Sequence, residues 1–196
     1  MPRRHYTMRR RALALEETRR RILEATMQVH DEQGMADARW EDIALRAGVS
    51  LSTIYRHFPS NDELIAACGR LTFEEFPPPD PADAAKAFRG IGGRERLKRL
   101  VEVVFGYYER TDPMMTMVRR DLHRSNAVAQ GFEVIHAGVE ALIVEALKPL
   151  RISESQAAAV RAFLDDRVYA SFMDAGMNPS VAKQECVALL WLATGL

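Results

Sequence analysis

The chain has 196 residues, of which 47% are hydrophobic and 28% charged, with 27 Lys and Arg against 27 Asp and Glu. That length holds one medium domain or two small ones around a packed interior. Cys68 and Cys186 stand alone, which excludes a disulfide framework and fits a reducing cytoplasm, and the longest apolar run, Val187–Leu196, is too short to cross a membrane.

The neutral total hides an uneven distribution. Residues 1–21 hold eight arginines against Glu16 and Glu17, a local charge of +6. A basic terminus on a neutral chain suits phosphates, so residues 1–15 are expected to form a mobile basic arm. No apolar segment follows Arg11, so no signal peptide is expected. Glu16 to Gln33 reads as the first helix, with Ile22, Leu23, Thr26, Met27 and Val29 facing inward and Gly34 ending it.

The next stretch, RWEDIALRAGVSLSTIYRHF from Arg39 to Phe58, reads as two short helices and a tight turn. Trp40, Ile43, Ala44 and Ala47 share one face by their i, i+3, i+4, i+7 spacing. Gly48 follows directly, where a left-handed residue ends a helix most easily. Ser50 can cap the second helix, and Asp37 the first. Ile54 and Phe58 fall on one side of the second helix, leaving Thr53, Tyr55, Arg56 and His57 for the other sides. Hydroxyls, an arginine, a histidine and a tyrosine can meet phosphates and base edges, and none is a carboxylate. Two helices joined by such a turn form a helix-turn-helix, whose second helix enters the major groove. Leu51 and Ser52, at the start of that helix, are expected nearest the bases, with Leu51 meeting a thymine methyl.

The segment AGVSLSTIYRHFPSNDEL resembles the helix-turn-helix signature of the tetracycline-repressor (TetR) family of bacterial transcriptional regulators, and ILEATMQVHDEQG resembles that family's first helix. The resemblance covers about residues 18–70. It implies a homodimeric, ligand-responsive DNA-binding protein, with repression by occlusion as the family norm. Arg39, Ser50, Leu51, Ser52, Thr53, Tyr55, Arg56, His57 and Asn61 are the expected DNA contacts. The chain departs from the pattern at three places. His30 stands where the family has Phe, Ala38-Arg39 where it has a Ser or Thr cap, and Asn61 where it has a phosphate-contacting Lys. The loss of that lysine keeps open a second reading, a helical small-molecule-binding or dimerisation protein without specific DNA readout. His30 is expected to be a hydrogen-bonded packing residue.

Ser60 caps a further helix that runs to about Glu75. Phe76-Pro77-Pro78-Pro79-Asp80-Pro81 cannot be helical, so it separates a DNA-binding domain, 16–76, from a helical effector-binding and dimerisation domain, 77–196. Residues 82–89 suggest a short helix, and Gly90-Ile91-Gly92-Gly93 a turn rather than a phosphate loop. Helices are then expected over Arg94–Arg110, from Asp112-Pro113 to Leu122, over Ala127–Leu147, from Ser153 to Ala175, and over Ser180–Thr194. The pattern is all-α. The last helix is apolar most of the way round, which calls for cover from a second subunit. The resemblance implies the same, a homodimer through the two C-terminal helices.

No nucleophile elbow, His-Glu-x-x-His, P-loop or dinucleotide fingerprint is present, so no enzyme, cofactor or metal site is expected. The second domain is rich in aromatic and sulfur side chains, which can line an apolar cavity. Phe105, Tyr108, Met114, Met117, Phe132, Phe163 and Tyr169 are its expected walls. His136, Arg120 and Asp166 are its expected polar contacts, for a small hydrophobic or aromatic effector.

Overall fold

The computed structural model describes residues 3–196, with side chains from Met8 on. Among the described residues the secondary structure is entirely helical. The chain divides into two compact units, Met1–Glu74 with Met117–Gly131, and Glu75–Thr116 with Phe132–Leu196.

The first unit holds α1 (Arg3–Gln33), α2 (Trp40–Ala47), α3 (Leu51–His57) and α4 (Asn61–Glu75). α1 corrects the expected start of the first helix. The helix does not begin at Glu16 but runs back to Arg3, because no Gly or Pro interrupts an Ala-, Leu- and Arg-rich stretch. Residues 1 and 2, and the side chains of 3–7, lie outside the described residues. Ile22, Val29, Ile43, Ile54, Phe58 and Leu64 make the core of the unit. Gly48 takes the left-handed conformation at φ 63° and ends α2, and Val49 N–H returns to the Ala44 carbonyl at 3.0 Å. The expected cap of α2 is corrected. Asp37 is engaged by Arg124, and the side-chain oxygen of Gln33 accepts from Arg39 N–H at 3.1 Å.

The second unit begins with the proline segment. Gly138 faces Pro79 so closely that a Cβ there would overlap the Pro79 carbonyl oxygen, so the segment is packed in place. Asp80 caps a 3₁₀ turn, Pro81–Asp83, which leads into α5 (Ala84–Ala87). α6 (Arg94–Asp121) passes through Pro113, where a new helix was expected. Proline there forfeits one hydrogen bond. A single buried stripe outweighs that loss, since Leu97, Leu100, Val104, Tyr108, Met115 and Val118 continue across it.

α7 (Asn126–Leu147) is long and apolar enough to cross a membrane by length and composition. Here it is a core helix, with Ile135, Val139, Leu142 and Ile143 buried. The helix expected from Ser153 to Ala175 is two: α8 (Glu154–Phe163) and α9 (Asp166–Asp174). The break comes at Asp165, whose carboxylate accepts from Arg167 N–H at 2.9 Å and caps α9. Ser153 and Gln156 form a reciprocal capping box on α8. α10 (Pro179–Thr194) starts at an Asn178 cap with proline in its first turn, and ends at Gly195.

Candidate nucleic-acid interface

α3 is anchored from below by Ile54 and Phe58, both essentially buried. Ser50 caps it by accepting from Thr53 N–H at 3.2 Å, and its Oγ also meets Ser52 Oγ at 2.8 Å and Thr53 Oγ1 at 2.9 Å. The three hydroxyls therefore form one cluster at the helix start. Each keeps lone pairs or a proton for a further partner. Leu51 is half-buried against the core of the unit. Ser52, Tyr55 and Arg56 are exposed.

Tyr55 stacks on Trp40 of α2, with ring centroids 4.6 Å apart. The sequence reading placed Trp40 on the apolar face of α2. The ring is half-buried against the core of the unit and also serves as the platform for Tyr55. His57 is half-buried, and burial, then the neighbouring Arg56 and Arg19, hold its imidazole below the usual range. Arg19 of α1 lies over the Phe58 ring at 4.8 Å and adds a guanidinium beside α3. Arg39 is exposed at the N-cap of α2, and Asn61 is half-buried at the first residue of α4. All the expected DNA contacts thus fall on one unit, within residues 39–61.

The second unit contains a cavity of about 80 Å³, partly open to solvent. Its apolar wall comes from Met115, Phe132, Ile135, Val139, Ile143 and Leu164, and its polar edge from Tyr108, His136, Glu140, Arg161, Asp165 and Asp166. Of the expected effector residues, Tyr108, Phe132, His136 and Asp166 line it. Phe105 and Tyr169 are buried in an edge-to-face pair at 5.2 Å, and burial raises the pKa of the Tyr169 hydroxyl. Met114 and Phe163 are half-buried outside the lining. Met117 and Arg120 belong to the first unit, where the Arg120 guanidinium sits against Gly34. The sequence reading had placed both on the effector cavity, but α6 contributes to both units.

The lining residues that were missed had different signals. Ile135, Val139 and Ile143 belong to the inward stripe of α7, which the spacing shows. Glu140 and Arg161 pair at 2.8 Å across 21 positions, which no local pattern encodes.

A family model described as bacterial regulatory proteins of the tetR family matches residues 22–68. The transcriptional repressor KstR of Rhodococcus jostii RHA1 is 26% identical over 154 residues, 78% of this chain and 70% of that protein. KstR of Mycolicibacterium smegmatis is 29% identical over 155 residues, 78% and 74% of the two chains. The transcriptional regulator SrpR of Pseudomonas putida is 41% identical over 59 residues, only 30% of this chain and 28% of that one. Among solved structures, a transcriptional regulator from Rhodococcus sp. Rha1 superposes with a TM-score of 0.65 at 19% identity, covering 89% and 95% of the chains. A TetR-family member from Streptomyces coelicolor A3 gives 0.59 at 23% identity, covering 88% and 98%. With the helix-turn-helix in place and the match centred on it, residues 22–68 carry a tetR-type helix-turn-helix, and the relatives whose similarity extends beyond it are HTH-type transcriptional repressors.

Proposed function

We propose that the chain is a homodimeric repressor that occupies a palindromic operator and is released by a small, largely apolar effector. The observation that carries the DNA reading is the outer face of α3. It presents Ser52, Tyr55 and Arg56 to solvent, with the Ser50–Thr53 hydroxyls at its start and no carboxylate anywhere along it. Such a face suits phosphates and base edges. Arg56 reads a guanine, Tyr55 and Thr53 reach phosphates, and Leu51 offers the edge of its side chain to a thymine methyl. Arg39, His57 and Asn61 flank the groove. Arg9, Arg10 and Arg11 on the N-terminal part of α1 add affinity that does not depend on sequence.

The KstR relatives are repressors by name, which supports repression here. Dimerisation is supported by α10. Val181, Glu185, Ala188 and Leu192 follow one exposed stripe, and Leu192 is 81% exposed. A large apolar side chain so placed is best explained by a second copy. In a C2 dimer the two α3 helices stand about one turn of DNA apart, roughly 34–36 Å.

The effector occupies the cavity beside Tyr108, Phe132, His136 and Asp166. At about 80 Å³ the cavity is smaller than the usual 300–1,000 Å³ of a ligand pocket, so a ligand enters by opening it. A shape change of that kind is what a differential affinity for two states requires. Full release needs a preference of about 10⁴-fold for the non-binding shape.

Binding selection on random duplex DNA, followed by sedimentation of the full chain with and without the selected site, tests this reading. A palindrome bound by a dimer is the expected result. A monomer that enriches no common sequence overturns it. For the effector, a panel of lipophilic compounds is screened by thermal shift, and hits must also release the DNA.

A further inference from the structure

The corner between α6 and α7 belongs to the first unit and meets four consecutive residues of the loop that leads into α2. Gly34 has φ +93°, and a Cβ there would overlap the Arg120 guanidinium. Met35 and Ala36 donate their main-chain N–H groups to Oδ2 of Asp121, at 2.8 and 3.4 Å. Asp37 accepts two hydrogen bonds from Arg124, at 2.7 and 2.6 Å. Just beyond, Ser125 donates to Asp62 in the first turn of α4 at 3.1 Å. Residues 120–125 thus grip the chain on both sides of the helix-turn-helix.

Asp121 stands apart within this group. The Arg124 and Asp37 side chains are 46% and 58% exposed, so salt screens that pair. The Asp121 side chain is 0% exposed. A buried carboxylate persists only when hydrogen bonds and countercharge satisfy it. Here Oδ2 takes the two loop amides and lies 3.4 Å from the Arg120 guanidinium, while Oδ1 has no hydrogen-bond partner and has only the countercharge of Arg124 at 3.6 Å. Met35 and Ala36 lie between α1 and α2, so a helix does not fix them. A side chain from a distant part of the sequence therefore sets where the chain turns into α2. α2 in turn carries Trp40, the platform on which Tyr55 of α3 rests.

We infer that Asp121 is a positioning residue for DNA reading: from the α6–α7 corner it fixes the start of α2 and, through the Trp40–Tyr55 stack, the set of α3. This rests on the reading of α3 as the DNA-contacting helix. Neither a spacing nor a motif marks Asp121, because its partners are 86 and 85 positions away.

The test compares the full-length wild type with Asp121→Asn and Asp121→Ala, by site-resolved amide exchange and by titration of the selected operator. Asparagine keeps the volume and one acceptor oxygen but loses the charge. Alanine removes both acceptors. The inference expects protection of the Met35 amide and operator affinity to fall together. The loss is about threefold in Asp121→Asn and tenfold or more in Asp121→Ala, the scale of a charge-assisted hydrogen bond. Protection at Leu100 and Leu190 stays at the wild-type level. If Asp121→Ala does not fold, Asp121→Ser replaces it with the same two readings. Wild-type operator affinity in a variant that has lost Met35 protection overturns the inference. So does a loss of protection throughout the chain, with the folded fraction binding at wild-type affinity. If the wild type itself binds no operator, the DNA reading fails first, and exchange at Met35 then reports on the Asp121 contact alone.

Discussion

Tyr55 of α3 lies nearly flat on Trp40 of α2, with ring centroids 4.6 Å and planes 16° apart, yet it remains 53% exposed. Stacking of this kind adds about 0.5–1.5 kcal/mol beyond the area buried. The ring therefore ties the two helices of the motif together, while its hydroxyl is the group proposed to meet a phosphate. Tyr55→Phe should keep the urea midpoint and weaken the operator by about 1–2 kcal/mol. Tyr55→Ala should lower stability by about 1 kcal/mol as well. Urea melts alongside gel shifts check both. Equal operator affinity in Tyr55→Phe and the wild type would remove the hydroxyl from the interface.

His30 occupies the core of the first unit at 3% exposure, and burial lowers its pKa to about 4 despite the nearby Asp121 carboxylate. The Nε2 atom has no hydrogen-bond partner, so the expectation of a hydrogen-bonded packing residue does not hold for that nitrogen. Its burial in the neutral form gives the sign of the pH effect. The unfolded chain binds a proton near pH 6.5, and the folded chain does so only near 4. Stability is therefore fully present above about 6.5 and falls as the pH drops towards 4, by roughly 3 kcal/mol in all. His30→Phe should flatten this part of the profile in urea melts between pH 7 and 4. An unchanged slope would assign the loss to other groups.

Arg96 is buried and donates to the carbonyls of Ala146, Phe88, Ile91 and Glu145 at 3.0, 3.1, 2.8 and 2.6 Å. It ties the end of α7 to the turn after α5. A lysine has one compact ammonium and cannot span these directions. Arg96→Lys should destabilise the second unit by about 2–4 kcal/mol, with carbonyls left unpaired in a dry site. Thermal melting checks this. A change below about 0.5 kcal/mol would show that water replaces the guanidinium freely.

Gly138 of α7 packs against main chain, not a side chain. A Cβ at that position would overlap the Pro79 carbonyl oxygen and lie 2.9 Å from the carbonyl carbon. No rotamer relieves that overlap. Gly138→Ala should therefore cost about 1–3 kcal/mol, even though alanine is the better helix former. A gain in stability would mean that the Pro77–Pro81 segment swings aside without penalty.

The helix-turn-helix was legible because its determinants are local. Gly48 ends α2, Ser50 caps α3, and Ile54 and Phe58 face the core by their spacing. Each of these depends on residues within one or two turns, where backbone sterics and hydrogen bonding act directly. The same local rules misjudged three places where a local preference met a larger constraint. An arginine-rich stretch read as an arm is helical from Arg3. Pro113 sits inside α6 because the apolar stripe on either side of it is continuous. Asp165 divides an expected long helix because its carboxylate caps the next one.

What only the tertiary structure decided are the contacts between residues far apart in sequence. Asp121 meets Met35 across 86 positions, Arg124 meets Asp37 across 87, Arg96 meets Ala146 across 50, and Arg161 meets Glu140 across 21. Aromatic content in the second unit suggested a cavity that includes Tyr108, Phe132, His136 and Asp166, but not that Phe105 and Tyr169 would pack against each other instead of lining it. Periodicity states which face of a helix is buried. Which faces then meet depends on how the helices cross and interdigitate, and that is set by packing over the whole unit.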